Sequence, residues 1–459
     1  MMCGIFVTTD PAILARQSAV ERCLQRRGTE KPVWCTTESG SVLAHCLLPV
    51  RGGAPVPQPI ETGKGLLLYS GELWDIEKGS SDTIALCERI ESLGLKGAVA
   101  RSQGMWALVT VNPRRKKISF CTDMFGEQPL HYAVVGNDVT VASEVKTLVV
   151  AGIPLAAISH VRPGILYEFD GVLRAAPYAA PRSRNRWKTF SAEVLRGRIA
   201  RAVQSHIESA DLQQVGILLS GGIDSTIIAW HASRLGVRRA WTIAVDRFAP
   251  DVIAAEQVAG RLGLDWECIC SNPRPIELGV VAAEVVNRSV LEESCLHIVL
   301  ANHLSQRGVR IALTGSGADE LFIGYSHLFR RMPKHLLQQR FLTEYFKLDL
   351  RAMNKVYGGY AVEIRNPFLH PAVTSYALQL HADVLVGPKT TLKWPLRRTY
   401  ADILDQQKTA PKRIARETMG AQAWFATRHL EGARAFHPLW KKIMGDPQQV
   451  MQLLAALDS

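Results

Sequence analysis

Val215 to Trp230, VGILLSGGIDSTIIAW, is the stretch that most narrows what this chain can fold into. Val215, Ile217, Leu218 and Leu219 read as a short buried strand, Ser220-Gly221-Gly222 breaks it, and Asp224 opens a helical pattern. The two glycines can adopt backbone angles closed to other residues, so successive N–H groups can face one concavity at the positive end of the helix. A concavity of that kind holds phosphate. Ser220 and Ser225 add hydroxyl donors, and Asp224, which repels a bare phosphate, fits if it holds the Mg2+ that travels with it. The loop lacks the Gly-Lys-Ser/Thr end of a Walker A motif. The alternative is an ordinary tight strand-to-helix turn, and the joint fit of both serines, both glycines and the Asp argues against it.

At 459 residues the chain is too long for one core and implies two or three domains. With 47% hydrophobic and 21% charged residues it is not a disordered chain. Its net charge of +12 would suit a polyanion, but ATP and pyrophosphate are anions too. The basic residues are scattered apart from Arg114 to Lys117 and Arg182 to Lys188, which read as a solvated turn and a linker, and no nucleic-acid-binding motif occurs. Nucleic acid is therefore not the expected partner, although the charge alone leaves it open. Nine cysteines at irregular spacing read as reduced thiols, and Cys268-x-Cys270, in an alternating strand-like segment, reads as core and not as a metal site. No apolar run approaches the ~20 residues of a membrane span, and the first residues lack the apolar centre of a signal peptide. A cytoplasmic protein without membrane association is expected, with an organellar address left open. Composition does not choose between a monomer, a homodimer and a larger assembly.

The S-G-G-x-D-S pattern of the loop resembles the pyrophosphate loop of ATP pyrophosphatases, which split ATP between its α and β phosphates. At the other end, the chain begins Met1-Met2-Cys3-Gly4-Ile5-Phe6. A cysteine that becomes the amino terminus can act as nucleophile with its own α-amine as base. This start resembles class II glutamine amidotransferases, and the likeness continues along nearly all of residues 3 to 170. Arg27-Gly28-Thr29-Glu30 stands at the family's R-G-P-D, Gly71-Glu72 follows N-G-E and Ser81-Asp82 follows S-D. Gln103 to Ala107, Asp123 to Leu130 and Ala142 to Lys146 track its later strands and turns. The order of the two halves is that of the glutamine-hydrolysing asparagine synthetase family, and Leu48 to Gly52 with Gln58-Pro59 looks closest to its asparagine synthetase domain-containing branch.

The resemblance implies an α+β N-terminal-nucleophile sandwich, that of class II glutamine amidotransferases, followed by an α/β parallel-sheet ATP-pyrophosphatase domain of the adenine nucleotide α-hydrolase type. Residues 1–175 would form the first domain, 176–190 a Pro- and Arg-rich linker, and 191–459 the second. Cys3 would be the glutaminase nucleophile, and Arg51, Ser70, Gly71, Glu72 and Asp82 would bind glutamine. Three departures bear on this half. A single Met must precede Cys3 for ordinary methionine removal to expose it, so translation from Met2 is required. Leu47 occupies the place of the family's glutamine-binding Arg, for which Arg51, four positions on and on the same face of a strand, can substitute. Ser70 replaces the oxyanion-hole Asn, and loss of one such donor commonly costs about 10²–10³ in rate.

In the second half, Trp241 to Val245, Asp265 to Cys270 and Val309 to Leu313 read as strands, while Pro250 to Leu262, Pro275 to Asn287 and Ser294 to Gln306 read as helices. Such alternation implies a parallel sheet whose ligands bind at the strand ends. By the resemblance, Leu219, Ser220, Gly221, Gly222, Asp224, Ser225, Val245, Thr314 and Gly315 bind ATP, and Asp224 and Asp319 hold Mg2+. The other reading of Asp319 is an acidic helix start. Lys393 and Arg397 fit the family's K-x-x-L-R pattern, and either Lys412 or Arg413 occupies the basic position beyond it; these cations would neutralise charge on the α-phosphate and the leaving pyrophosphate. Glu363 and Arg365 read as a buried structural ion pair rather than as catalysts.

Ser316 stands where the family has a Glu facing the intermediate, and Glu292-Glu293-Ser294-Cys295 replaces its Tyr-Asp aspartate-recognition pair. Three readings follow. The first is an ATP-dependent ligase that activates a carboxylate, aspartate by resemblance, as an acyl-adenylate and aminates it with glutamine-derived ammonia. The second is an adenylating ligase with an inert amidotransferase half, resembling β-lactam synthetases. The third is a nucleotide-binding scaffold without synthesis.

Overall fold

The structure, a computed structural model, describes residues 3–50, 55–77, 79–325, 332–342, 346–404, 419–426 and 436–458. The first half contributes β1 (Gly4–Thr8), β2 (Val33–Thr36), β3 (Val42–Cys46), β4 (Ile60–Thr62), β5 (Gly65–Leu73), β6 (Gly104–Val111), β7 (Ile118–Thr122), β8 (His131–Val135), β9 (Asp138–Ala142), β10 (Ser159–His160), β11 (Ile165–Phe169) and β12 (Leu173–Pro177). They form two antiparallel sheets, β10-β8-β9-β1-β3-β2 and β12-β11-β7-β6-β5-β4. Ile5, Val7, Leu43 and Val141 of one sheet meet Val109, Phe120 and Phe169 of the other in a single apolar layer. The helices α1 (Gln17–Gln25) and α3 (Val145–Val150) cover the first sheet, and α2 (Asp82–Arg101) covers the second through Leu86 and Ile90. This is the expected α+β sandwich, and Cys3 immediately precedes the central strand β1.

The second half runs α4 (Ala192–Ile207), β13 (Val215–Leu218), α5 (Ile223–Arg234), β14 (Arg239–Ala244), α6 (Pro250–Leu262), β15 (Asp265–Cys270), α7 (Ile276–Ala283), α8 (Arg288–Gln306), β16 (Ile311–Leu313) and β17 (Glu363–Arg365). The five strands form one parallel sheet, β15-β14-β13-β16-β17. From β13 the chain winds outward through β14 to β15, then returns to place β16 on the other side of β13, with Ile217 opposite Leu313. The sheet's topological switch point therefore lies between the ends of β13 and β16, where open α/β sheets form their ligand crevice. Local chemistry sets the element ends. Ser191 caps α4 by accepting from Val194 N, and α6 starts on Pro250 and ends at left-handed Gly263.

Two expectations change. The predicted helix from Pro275 to Asn287 stops at Ala283, because Glu284 takes a left-handed backbone (φ 56°) that turns its carboxylate toward the first half. Cys268 and Cys270 alternate on β15 as the pattern requires, but β15 is a sheet edge, so Cys270 is exposed and Cys268 only half-buried; neither is core. Among the described residues no helix is long and apolar enough to cross a membrane. The segment between the halves is tied down. Arg184 N donates to Leu378 O, Arg186 N to Gln379 O and Ser183 N to the Gln339 side chain, while Arg182, Arg184 and Arg186 remain exposed.

The halves share an interior. Cys3, Leu47, Leu48, Val50 and Phe125 belong to the same apolar cluster as Leu195, Ile217, Leu313 and Phe368, and Phe6, Leu24 and Leu148 join Val280, Leu291 and Tyr357. Through this seam runs a buried charged cluster. Glu284 accepts from Val145 N and Lys146 N at 2.9 and 2.7 Å and pairs with Lys355 at 2.7 Å and Lys146 at 3.5 Å. Lys146 also contacts Glu144 at 2.9 Å, which binds Arg27 at 3.0 Å. Burial opposes ionisation of Glu284, but Lys355, Lys146 and the Lys146 N–H outweigh it and lower the carboxyl from 4.5 to about 2. Lys355 moves down as well, because burial, Lys146 and Arg351 act against its one anion.

Since the folded-state value of Glu284 is depressed, its stabilisation is complete above pH ~4.5 and is lost as pH falls through 2. Glu284→Gln, which leaves the Lys355 ammonium buried beside a neutral amide, is expected to cost about 3–5 kcal/mol. Urea titrations at pH 7 and pH 3 check both: the gap between wild type and variant should narrow at pH 3.

Candidate functional site

The first site surrounds Cys3, which is fully buried one residue before β1. Its backbone nitrogen donates to Ser70 Oγ at 2.8 Å, and its carbonyl accepts from Ser70 Oγ at 3.4 Å and from Arg27 Nε at 3.3 Å. Burial pushes the thiol up to about 11, against a smaller opposing effect of a hydrogen bond from the Leu48 backbone. Ser70 thus holds the Cys3 backbone. Gly71 lies one step along β5, opposite Trp106. Asp82 is fully buried at the start of α2, and one of its oxygens accepts from Leu73 N at 3.0 Å.

Glu72 lies two residues beyond Ser70 on β5, on the same face of the strand. Its carboxylate pairs with Arg365 of the second half at 2.7 Å, and Arg365 also binds Glu363 at 2.7 Å. The expected Glu363–Arg365 ion pair is present, and Glu72 extends it across the seam. Leu47 is buried in the shared apolar cluster, and its carbonyl takes the N–H groups of Thr29 and Glu30. Arg51 lies outside the described residues.

The second site sits at the switch point. Gly221 has φ 69°, and a Cβ there would stand 2.4 Å from Ala254 C, so the turn is open only to glycine. Ser220 Oγ lies 3.1 Å from Ser225 Oγ and accepts from Gly222 N, and Gly222 is the N-cap of α5 without a side-chain cap. The first-turn N–H groups of a twelve-residue helix therefore face the loop. The 314–319 turn leaves β16 directly across from it. Gly315 lies so close over α5 that a Cβ would meet Asp224 Cβ at 2.6 Å and Ser225 N at 2.8 Å.

This close approach brings Asp224 and Asp319, 95 residues apart in sequence, onto one cation. Lys393 Nζ hydrogen-bonds Asp224 Oδ2 and lies 2.6 Å from Asp319 Oδ1. Burial alone would lower the ammonium's pKa; the two carboxylates reverse that and hold it above the ordinary lysine range. Arg397, one helical turn on, is held by Leu392 O at 3.1 Å and feels the Asp224 charge, although burial lowers it. Two carboxylates converging on a single cationic centre form a hard-oxygen pair that suits Mg2+ as well as an ammonium.

Thr314 donates through Oγ1 to Asn366 Oδ1 at 2.7 Å and accepts from Ser316 N at 3.1 Å. Leu219 is core: its N–H donates to Trp241 O at 2.9 Å and its side chain is buried. Val245 is half-buried, with its N–H given to Met419 O at 2.8 Å. Glu292 is buried and paired with Arg288 at 2.7 Å. Lys412 and Arg413 lie outside the described residues. Arg27, Asn354 and Asn366 were not among the candidate site residues. The R-G motif offered a signal for Arg27; the two asparagines carry none, because each is held by a residue of the other half of the chain, Asn354 by Arg27 and Asn366 by Glu127.

Residues 2–160 match the glutamine amidotransferase domain family and residues 194–340 the asparagine synthase family. Asparagine synthetase B [glutamine-hydrolyzing] of Escherichia coli K12 is 27% identical over 460 residues, covering 87% of this chain and 79% of that protein. Asparagine synthetase [glutamine-hydrolyzing] of Zea mays is 23% identical, covering 90% and 76%. The corresponding protein of Gallus gallus is 21% identical, covering 73% and 68%.

The contact of Gly315 with α5 makes a direct test possible. Gly315→Ala should push the turn off Asp224, costing about 1–3 kcal/mol of stability through overpacking and roughly 10²-fold in pyrophosphate release through misplacement of Asp319. Thermal melting and a coupled pyrophosphate assay measure the two effects separately.

Proposed function

Because the chain belongs to the glutamine-hydrolysing asparagine synthetase family, we propose that it joins the ammonia of glutamine to a small carboxylate, using ATP to activate the carboxylate as an acyl-adenylate. The observation that carries this reading is the switch-point cluster: a glycine loop at an uncapped helix start faces Asp224, Asp319, Lys393 and Arg397, beside an interior continuous with Cys3.

In the first site the Cys3 thiolate attacks the side-chain carbonyl of glutamine, ammonia leaves, and water releases glutamate from the thioester. A thiol held near 11 is almost wholly protonated at neutral pH, so it needs a base. That base is the Cys3 α-amine, freed once the residues before it are removed, and Ser70 Oγ sits where it orients this nitrogen. Asp82 and Gly71 would bind the glutamine, with Arg51 as the further candidate for its carboxylate. Glu72, held by Arg365, is a further candidate contact for the glutamine.

In the second site an oxygen of the acceptor carboxylate attacks the α-phosphate of ATP and pyrophosphate leaves; ammonia then attacks the acyl carbon and AMP departs. Ser220, Gly221, Gly222 and Ser225 would hold the phosphates, with Thr314 and Gly315 closing over them. Lys393 and Arg397 would meet the developing charge, and Lys412 or Arg413 remains the candidate for a further cation. Asp224 and Asp319 would hold Mg2+, which when bound neutralises the triphosphate. The shared apolar interior favours the chemistry because an acyl-adenylate is lost to water. Aspartate is the acceptor to test first. Ser316 and the Arg288-bound Glu292 leave it without the family's usual acidic and tyrosyl contacts. All nine cysteines are free thiols, which supports placing the protein in the cytoplasm.

The test uses protein whose first residue, read by mass spectrometry, is Cys3. Glutamate release from glutamine should vanish in Cys3→Ala, while ATP-dependent pyrophosphate release with aspartate and ammonium salts persists. Lys393→Met should do the reverse, losing about 10²–10³ in pyrophosphate release. Pyrophosphate release that is absent from wild type with aspartate and with other small carboxylates would sink the ligase reading.

A further inference from the structure

Glu127 lies in the turn between β7 and β8, a turn held by Asp123, whose carboxylate accepts the N–H groups of Phe125, Gly126 and Glu127 at 2.8 to 3.0 Å. The turn faces the second half of the chain. There the Glu127 side chain is 4% exposed, and Oε2 accepts from Asn366 Nδ2 at 3.0 Å. Asn366 is 2% exposed and follows β17; its Oδ1 accepts from Thr314 Oγ1 at 2.7 Å, which in turn accepts from Ser316 N at 3.1 Å. Three hydrogen bonds therefore tie a carboxyl of the amidotransferase half to the turn that carries Gly315 over Asp224. Among the described residues Asn366 is the sole hydrogen-bond donor to this carboxyl, and no cation pairs with it.

The groups around Glu127 favour its acid form. Burial, then the Asp123 charge, push its carboxyl well above the ordinary range, Glu363 adds in the same direction, and the Asn366 hydrogen bond opposes them. A neutral carboxyl is the form that accepts an amide hydrogen bond in a dry site without a counter-ion. On the other side, the Glu127 carbonyl accepts from Asn354 Nδ2 at 2.8 Å, and Asn354 Oδ1 accepts from Arg27, the residue on the Cys3 carbonyl. The residue thus joins the surroundings of both sites.

We propose that Glu127 is a positioning residue for the ATP site: supplied by the amidotransferase half, it orients Asn366 so that Thr314 and Ser316 hold the 314–319 turn in its nucleotide-binding form. The assignment of that turn to nucleotide rests on the function proposed above. One consequence is that the synthetase half is incomplete by itself, even with ammonia supplied from solution.

The experiment uses the full chain and four variants, Glu127→Gln, Glu127→Leu, Asn366→Leu and Thr314→Val, with two readouts. Hydrogen exchange of the peptide spanning residues 314–318 is followed without nucleotide, and MgATP affinity is measured by calorimetry. Glu127→Leu, Asn366→Leu and Thr314→Val should each speed exchange of this peptide, and weaken MgATP, by about tenfold, the effect of one broken buried hydrogen bond. Glu127→Gln, whose amide oxygen accepts the same bond, should match wild type. In the double variant Glu127→Leu/Asn366→Leu the loss should equal that of either single change. Wild-type exchange in Glu127→Leu, losses that multiply in the double variant, or a Glu127→Gln as impaired as Glu127→Leu would overturn the proposal. If Glu127→Leu does not fold, Thr314→Val, which opens almost no void, carries the decision through the same exchange readout. A faster turn in a protein that binds no MgATP even as wild type would uphold the positioning role and overturn the ligase reading instead.

Discussion

A single buried anion, Glu284, fastens the two halves of this protein together. Its left-handed backbone ends α7 and aims the carboxylate at the first turn of α3, where two N–H groups and two lysines receive it. A carboxylate in such a place is stable only because its hydrogen bonds and cations are all supplied, and they come from both halves at once. The halves cannot shift without stranding charge. This fixed relation is what permits Arg27 to reach from the Cys3 carbonyl to Asn354, Glu72 to reach Arg365, and Glu127 to reach Asn366.

Within that frame the adenylating site is an outcome of strand order. Because β16 returns beside β13, the glycine loop and the 314–319 turn leave the sheet at the same edge. Their separation is then set by sterics, with Gly315 resting on the backbone of Asp224. Two carboxylates at that distance repel unless a cation lies between them, and Lys393, itself in a left-handed conformation before its helix, provides one.

The first site shows how one substitution redistributes work. Ser70 is too short to serve as the amide donor found in the family, yet its hydroxyl reaches the nitrogen and carbonyl of Cys3. The hydroxyl thereby holds both backbone polar groups of Cys3. Glu72, two residues along β5 and therefore on the same face, pairs with Arg365 and is part of the seam.

Local sequence determined the elements and most of the chemistry. Hydrophobic runs, Pro250, Gly263 and the S-G-G-x-D-S loop depend on neighbours a few residues away, so α6 and β15 fall on the residues expected, and that loop stands between a strand and a helix as read. Cys3, Asp224, Asp319 and Lys393 were legible because motifs carry them. The tertiary structure alone decided which of these meet and what lies between them. Glu72, Glu127, Glu284, Asn354 and Asn366 find partners in the other half of the chain from 138 to 327 residues away, and no local pattern encodes such a pairing. Likewise Cys270 alternates like a core residue, and only the place of β15 at the sheet edge exposes it. Burial is a property of the assembled sheet and of the seam, so charges that a linear reading assigns to solvent or substrate turn out to hold the two halves together.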